Sequence, residues 1–205
     1  MCLKDKNAGK VLEVIREFAN IGAGNAATAL ASILDMELVN EVTSCSILPL
    51  SRVGNALGGD ERVVAGTYTQ LCGDLKSGIL VVFPEDSARM LLKKMTGEEA
   101  NLQSMSDLHA SALCEAGNIC LCWYLVAVSR MIDTDLIPAP PDAAVDLLGA
   151  ILDLPLAAIG IEVDTAIAVH TVFKSPDTTF DGYFLMLPEK KMLSTIMDKM
   201  GETWK

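Results

Sequence analysis

The sequence has few positive charges. It contains 16 Lys and Arg residues against 27 Asp and Glu residues, which gives a formal net charge of -11. Nucleic acids and anionic lipid surfaces are bound mainly through Lys and Arg side chains that neutralise phosphate, so this balance disfavours both kinds of partner. We expect instead a protein partner with a basic or mixed surface.

Metal-ligand and triad patterns are also missing. His109 and His170 are the only histidines, and neither lies near a recognisable nucleophile motif. The cysteines include no C-x-x-C pair, and those in the predicted second long helix fall on different faces. We therefore predict reduced, buried thiols and no bound metal or cofactor. The cysteines are Cys2, Cys45, Cys72, Cys114, Cys120 and Cys122.

No targeting or membrane segment is evident. Residues 1–6 are charged and lead into an amphipathic pattern, unlike a signal peptide. No apolar run reaches the length of about 18 residues that a membrane span needs. We expect a cytoplasmic protein without membrane insertion, and 51% apolar residues are ample for a core.

Two distant segments align without a gap. Residues 77–85, SGILVVFPE, match residues 181–189, DGYFLMLPE, at an offset of 104 (181 minus 77). In each, an apolar run of strand length ends at Pro, and a Gly follows thirteen residues later, at Gly97 and Gly201. The pattern predicts a strand and then a helix that closes on Gly, which tolerates the left-handed conformation.

The other elements repeat in the same order. Helical periodicity is present in residues 10–34 and again in residues 106–130. Further strands are predicted at 37–49, 61–72, 155–162 and 165–174, with an unmatched short helix within 143–152. We predict one domain of α/β (α+β type) over residues 1–205. It consists of a pseudo-twofold internal repeat, 7–99 and 106–205, and each half is helix–three strands–helix, with the strands joined in one mainly antiparallel sheet flanked by helices.

Each long helix carries a Glu-x-x-Asn pair, Glu17 with Asn20 and Glu115 with Asn118. Residues three apart share one helix face, so each pair presents a carboxylate beside an amide. An amide both donates and accepts hydrogen bonds and is suited to hold a water molecule in line with an electrophile. One such pair is typical of an ordinary solvated helix, and its recurrence in both halves is what indicates a function.

Gly22-x-Gly24-x-x-Ala27 superficially resembles a dinucleotide fingerprint. That motif follows a buried strand, whereas residues 14–21 have charge and helical periodicity. No Lys-Ser/Thr follows the glycines, which excludes a P-loop. The small residues are better interpreted as permitting close approach between helices or between a helix and a partner.

The helices resemble the CheC/CheX/FliY phosphatase family of chemotaxis proteins. The resemblance rests on EFANIGAGNAATA at 17–29 and on SALCEAGNI at 111–119, and it covers nearly the whole chain. The family signature is Asp or Ser, three residues, Glu, two residues, Asn, twenty-two residues and Pro. The second copy matches it in full, with Ser111, Glu115, Asn118 and Pro141.

The first copy departs from the signature at two positions. Glu13 stands in place of Asp or Ser, and Thr43 stands in place of Pro, whereas Glu17 and Asn20 are intact. Two active helices are typical of CheC.

The resemblance implies hydrolysis of the aspartyl phosphate of the response regulator CheY. Asn20 and Asn118 would orient the attacking water, and Glu17 and Glu115 would anchor a Lys of the regulator. CheY would supply the Mg²⁺, so the chain would bind no cofactor itself. The family also binds the receptor deamidase CheD, which here would contact the extra helix, 142–153, with Asp146 as the expected polar contact.

Two other functions remain open. The chain could be a non-catalytic binding module that sequesters CheD, an alternative favoured by the extra helix and the imperfect first motif. A flagellar switch component is less favoured, because we expect no appended switch-binding domain.

Overall fold

A computed structural model describes residues 7–159 and 163–202. Two short 3₁₀ turns, Leu50–Arg52 and Leu102–Ser104, accompany its helices and strands. In chain order the elements are α1 (Asn7–Leu34), β1 (Val39–Pro49), α2 (Val53–Ala56), β2 (Val63–Cys72), β3 (Ser77–Pro84), α3 (Glu85–Thr96), α4 (Asp107–Ile132), β4 (Ile137–Pro138), β5 (Asp142–Leu147), α5 (Leu148–Ile159), β6 (Thr165–Lys174), β7 (Thr179–Pro188) and α6 (Lys190–Glu202).

The seven described strands form one antiparallel sheet, which confirms the predicted fold class. Its order is β1-β6-β7-β3-β2, with β5 and the short β4 both paired to the outer side of β2. If β1, β2 and β3 are exchanged with β5, β6 and β7, the strand order is unchanged when it is read from the opposite edge of the sheet. The strand order is therefore symmetric about the β7–β3 pair, and the internal repeat stays a prediction.

The two long helices end in the same way, 98 residues apart (133 minus 35). Asp35 and Asp133 have positive φ angles of 49° and 52°. Asp is among the few non-glycine residues that tolerate this left-handed conformation. Ser106 starts α4, because its side chain accepts a hydrogen bond from the backbone N–H of His109 at 3.3 Å.

One face of the sheet is covered by α1, α3, α4 and α6. Alternation along the strands sends one set of side chains into this layer, including Phe173, Phe180 and Phe184. Tyr124 of α4 stacks on Phe184 with a ring separation of 4.5 Å, and its hydroxyl lies 2.6 Å from Thr171 Oγ1. The principal core lies between this helical layer and the sheet.

The opposite face of the sheet has a smaller core beneath α2 and α5. Leu148 and Ile151 of α5 are buried there with Val53 of α2. Because α2 and α5 follow β1 and β5 respectively and contact each other, α2 occupies the position that corresponds to α5 in the other half. The prediction that the extra helix has no counterpart was therefore wrong.

Residues 142–159 also differ from the prediction. The segment 142–147 is strand β5, and the helix runs over Leu148–Ile159, where the sequence pattern predicted a strand at 155–162. Residues 160–162 lie outside the described residues. A short apolar run is compatible with either a buried strand or a buried helix, so periodicity does not separate the two. The other predicted strands are confirmed within two residues.

Residues that are paired by the gapless sequence alignment at offset 104 are not all equivalent in the structure. The alignment pairs Phe83 with Leu187, yet Phe83 faces the principal core and Leu187 faces the smaller core on the other side of the sheet. The helices that follow these two strands, α3 and α6, also end differently. Gly97 is a left-handed C-cap with φ of 77°, as predicted, whereas Gly201 lies within α6.

Of the described helices, α4 alone is long and apolar enough to cross a membrane by length and composition. The helix has no uninterrupted apolar run of about 18 residues, because Glu115 and Asn118 lie within it. This helix contacts α1 and the sheet, and its residues Leu113, Leu121 and Leu125 are buried in the principal core. Core helices of soluble proteins have the same composition.

Candidate functional site

The first pair lies on the outward face of α1. Glu17 and Asn20 are both exposed, while Ile15, Ala19 and Ala23 on the other side of the helix are buried in the principal core. The 3.6-residue period separates these two sets, because the apolar positions are used for packing. The carboxylate and the amide are therefore open to an approaching protein.

The second pair lies on α4. Glu115 is exposed and Asn118 is half-buried, and the residues between them, Ala116 and Gly117, are buried against the sheet. A Cβ atom at Gly117 would lie 2.0 Å from Oγ1 of Thr67 on β2. Helix α4 therefore packs closely on the sheet between Glu115 and Asn118.

The long helices themselves pack closely, as the small residues of α1 predicted. A Cβ atom at Gly22 would lie 3.1 Å from Cδ1 and 3.2 Å from Cα of Tyr124. Gly24 makes no such approach, since its Cβ atom would meet only Asn40 Oδ1 at 3.8 Å. No hydrogen bond or ion pair within 7–159 and 163–202 joins the two Glu-x-x-Asn pairs, so each is a separate site.

The two amides have different surroundings. Oδ1 of Asn118 accepts a hydrogen bond from the Cys122 thiol, with 3.5 Å between Sγ and Oδ1. Asn20 makes no side-chain hydrogen bond within the described part of the chain, and Gly24 stands one turn after it. Burial raises the pKa of the Cys122 thiol, and the negative charge of Glu115 raises it further.

Pro141, the last position of the family signature, lies beside α4. Its carbonyl accepts a hydrogen bond from the Cys114 thiol, with 3.6 Å between Sγ and O. Burial raises the pKa of that thiol, and Asp142 raises it further. Because Cys114 directly precedes Glu115, the start of β5 borders the second pair.

Thr43, in the corresponding place in the first half, has a different environment. Its Oγ1 lies 2.7 Å from Nδ1 of His170, whose Nε2 lies 2.7 Å from Oδ1 of Asp181. This Thr–His–Asp chain joins three strands, and sequence reasoning missed it because the residues are up to 138 positions apart (181 minus 43). Thr171 faces α4, so the adjacent His170 points to the opposite face of the sheet, away from both pairs.

Asp146, the predicted CheD contact, lies on strand β5 and not on a helix. It is exposed, and its Oδ1 accepts a hydrogen bond from the backbone N–H of Leu147 at 2.7 Å. Leu147 is 44% exposed and α5 begins at the next residue. The acidic group therefore stands at the entrance to α5, beside an exposed apolar side chain.

The five described cysteines are free thiols. Cys120 is buried as predicted, whereas Cys72 is exposed. Among the described residues, no group of three or more His, Cys, Asp or Glu side chains is placed to hold a metal ion.

Comparison with known proteins finds relatives of the CheC type. The model of the CheC-like family matches residues 11–38, which contain the first Glu-x-x-Asn pair. The chain is 27% identical over 195 residues to the CheY-P phosphatase CheC of Bacillus subtilis, and the alignment covers 93% of each protein. It is 26% identical over 130 residues to the flagellar motor switch phosphatase FliY of the same organism, covering 63% of this chain and 34% of FliY.

The fold is shared with a crystal structure of Thermotoga maritima FliY. The TM-score is 0.71 at 15% identity, and the match covers 98% of this chain and 99% of that one. At that identity the likeness concerns the fold alone. The matched motif helix, the relative aligned over nearly its whole length and the common fold together support a relationship to the CheC-like family.

Proposed function

We propose that this chain is a phosphatase that hydrolyses the aspartyl phosphate of a CheY-type response regulator in the cytoplasm. The observation that carries the proposal is the presence of the same carboxylate–amide pair on the outward faces of α1 and α4. The name of the Bacillus subtilis relative, CheY-P phosphatase, supports this choice of substrate.

On this proposal, Asn20 or Asn118 enters the active site of the regulator and holds a water molecule in line with phosphorus. The water oxygen bonds to phosphorus while the bond from phosphorus to the aspartate oxygen breaks, one proton of the water passes to a phosphate oxygen, and the aspartate leaves as a carboxylate. The regulator supplies the Mg²⁺ and the phosphoryl group. Positioning of this kind requires no nucleophile from the phosphatase.

Glu17 and Glu115 act before the chemistry. Both carboxylates are exposed on the same face as their amide partner, where each can pair with a Lys of the regulator. Such a pair sets the register of docking and leaves the amide to act on the water. Anchoring and positioning are thereby assigned to different side chains of each pair.

The test is phosphate release from phosphorylated CheY. The double variant Asn20→Ala, Asn118→Ala should still bind phosphorylated CheY within about twofold, while its kcat falls at least about 100-fold, because a water-positioning group acts in the transition state. Asn55→Ala, at an exposed amide on α2, is the matched control and should hydrolyse at the wild-type rate. A double variant as fast as wild type would refute the mechanism.

A second candidate function is a module that sequesters CheD with little catalysis of its own. The exposed Asp146 and Leu147 at the entrance to α5 favour it. Asp146→Lys should weaken CheD binding, whereas Asp177→Lys, at the β6–β7 turn, should not. A chain that binds CheD but releases no phosphate with or without it would favour the module over the phosphatase.

A further inference from the structure

The two amides differ in one contact. Cys122 follows Asn118 by one helical turn, and its thiol donates to Oδ1 of that amide over 3.5 Å. On α1 the residue one turn after Asn20 is Gly24, which has no side chain. The contact therefore exists at one site and is absent from the other within the described residues.

This contact bears on the orientation of the amide. The terminal torsion of Asn is broad, so an unsupported amide samples many orientations. A donor on Oδ1 narrows that range and leaves the NH₂ group and the second lone pair of the oxygen for water. Because burial and the nearby Glu115 raise the pKa of Cys122, the sulfur retains its proton at neutral pH and remains a donor.

We propose that Cys122 is a positioning residue for Asn118, and that the α4 site is for this reason the faster of the two sites. This inference rests on the proposed phosphatase function and deepens it, because it ranks two sites that share the same Glu-x-x-Asn pair. Cys122 acts through Asn118 and does not itself touch the reacting atoms.

The first experiment isolates the α4 site in the Asn20→Ala background. Cys122→Ala should lower kcat for phosphate release by about three- to fivefold, the size expected for one weak hydrogen bond, and should leave KM unchanged. Cys122→Ser retains a donor and should recover at least about half of the lost kcat. A purely structural role would instead show as a lower Tm in both variants without rescue by Ser.

The second experiment adds the contact where it is missing. In the Asn118→Ala background, Gly24→Cys places a thiol one turn after Asn20, and the nearest atom to the new Cβ is Asn40 Oδ1 at 3.8 Å. Its kcat should exceed that of the matched Gly24→Ala variant by about threefold. This arm decides the question if the Cys122 variants fail to fold.

The outcomes distinguish a failure of this inference from a failure of the proposed phosphatase function. A wild-type chain that releases no phosphate would overturn both. A wild-type chain that is active and loses its activity with Asn118→Ala, but keeps the same kcat with Cys122→Ala, would overturn the inference alone. Equal rates for Gly24→Cys and Gly24→Ala would likewise count against it.

Discussion

Thr67 occupies the space that a side chain at position 117 would need. A Cβ atom added to Gly117 would lie 2.0 Å from Thr67 Oγ1 and 2.8 Å from its Cβ. Glycine is therefore required where α4 crosses β2, directly before Asn118. The close approach of helix and sheet fixes the height at which the second pair stands above the sheet.

Gly117→Ala should lower the free energy of unfolding by about 3 kcal/mol, since overpacking against a strand cannot relax by rotation of one side chain. The double variant with Thr67→Ala removes the two nearest atoms and should recover part of this loss. Chemical denaturation of the three proteins measures both effects. If the single variant retains wild-type stability, the close packing of α4 on β2 is wrong.

Gly22 and Gly24 form a matched pair on α1. Both gain helix propensity when replaced by Ala, but a Cβ at Gly22 meets backbone atoms of Trp123 and Tyr124 at 3.3 and 3.2 Å, whereas a Cβ at Gly24 meets only Asn40 Oδ1, at an ordinary contact distance of 3.8 Å. Gly22→Ala should therefore be less stable than Gly24→Ala by about 1–3 kcal/mol. Equal unfolding midpoints would show that α1 and α4 do not cross at Gly22.

The glutamates should affect binding more than chemistry. On the proposed mechanism, Glu17→Gln with Glu115→Gln should raise KM for phosphorylated CheY about tenfold, roughly 1.4 kcal/mol, with kcat within about twofold of wild type. Added salt should narrow the difference, because exposed ion pairs are screened. Glu61→Gln, at an exposed position away from both long helices, controls for the change in net charge. A fall in kcat with constant KM would assign the carboxylates to the chemical step instead.

Stability should fall in alkaline solution in part through Cys120. Burial raises the pKa of this thiol from its ordinary 9.0 to about 12. The unfolded chain therefore loses the proton first. The stability that this provides is complete below about pH 9 and is lost as the pH rises towards 12, at up to about 1.4 kcal/mol per pH unit.

Cys120→Ala should flatten this decline, so that the loss between pH 8 and pH 10 is smaller by about 1.4 kcal/mol. Leu125→Ala is the control, because it also creates a cavity in α4 but retains Cys120, and it should keep the wild-type slope. Denaturant unfolding at each pH gives the values. Parallel slopes for all three proteins would contradict the burial of this thiol.

Much of the architecture was predictable because it is encoded locally. The apolar period of 3.6 located α1 and α4, and runs rich in apolar and β-branched residues located β1, β2 and β6 within two residues. The exposure of Glu17, Asn20 and Glu115 followed from the same period, since the buried positions of a helix leave the remaining face to solvent.

Sequence by itself thus determined the two long helices α1 and α4, the helices that follow the Pro-terminated strands, most strands and the two Glu-x-x-Asn pairs, because each depends on residues that are close together in the chain. Only the tertiary structure decided whether residues 142–159 form strand or helix. It also decided the strand register that turns Phe83 and Leu187 to opposite faces of the sheet, and the hydrogen-bonded contacts that join Thr43, His170 and Asp181. These features depend on contacts between distant segments. The free energy gained by burying an apolar side chain is similar at several positions, so it does not select one of them. The hydrogen bond from the Cys122 thiol to Asn118 is a local contact, but only the structure places the sulfur 3.5 Å from Oδ1.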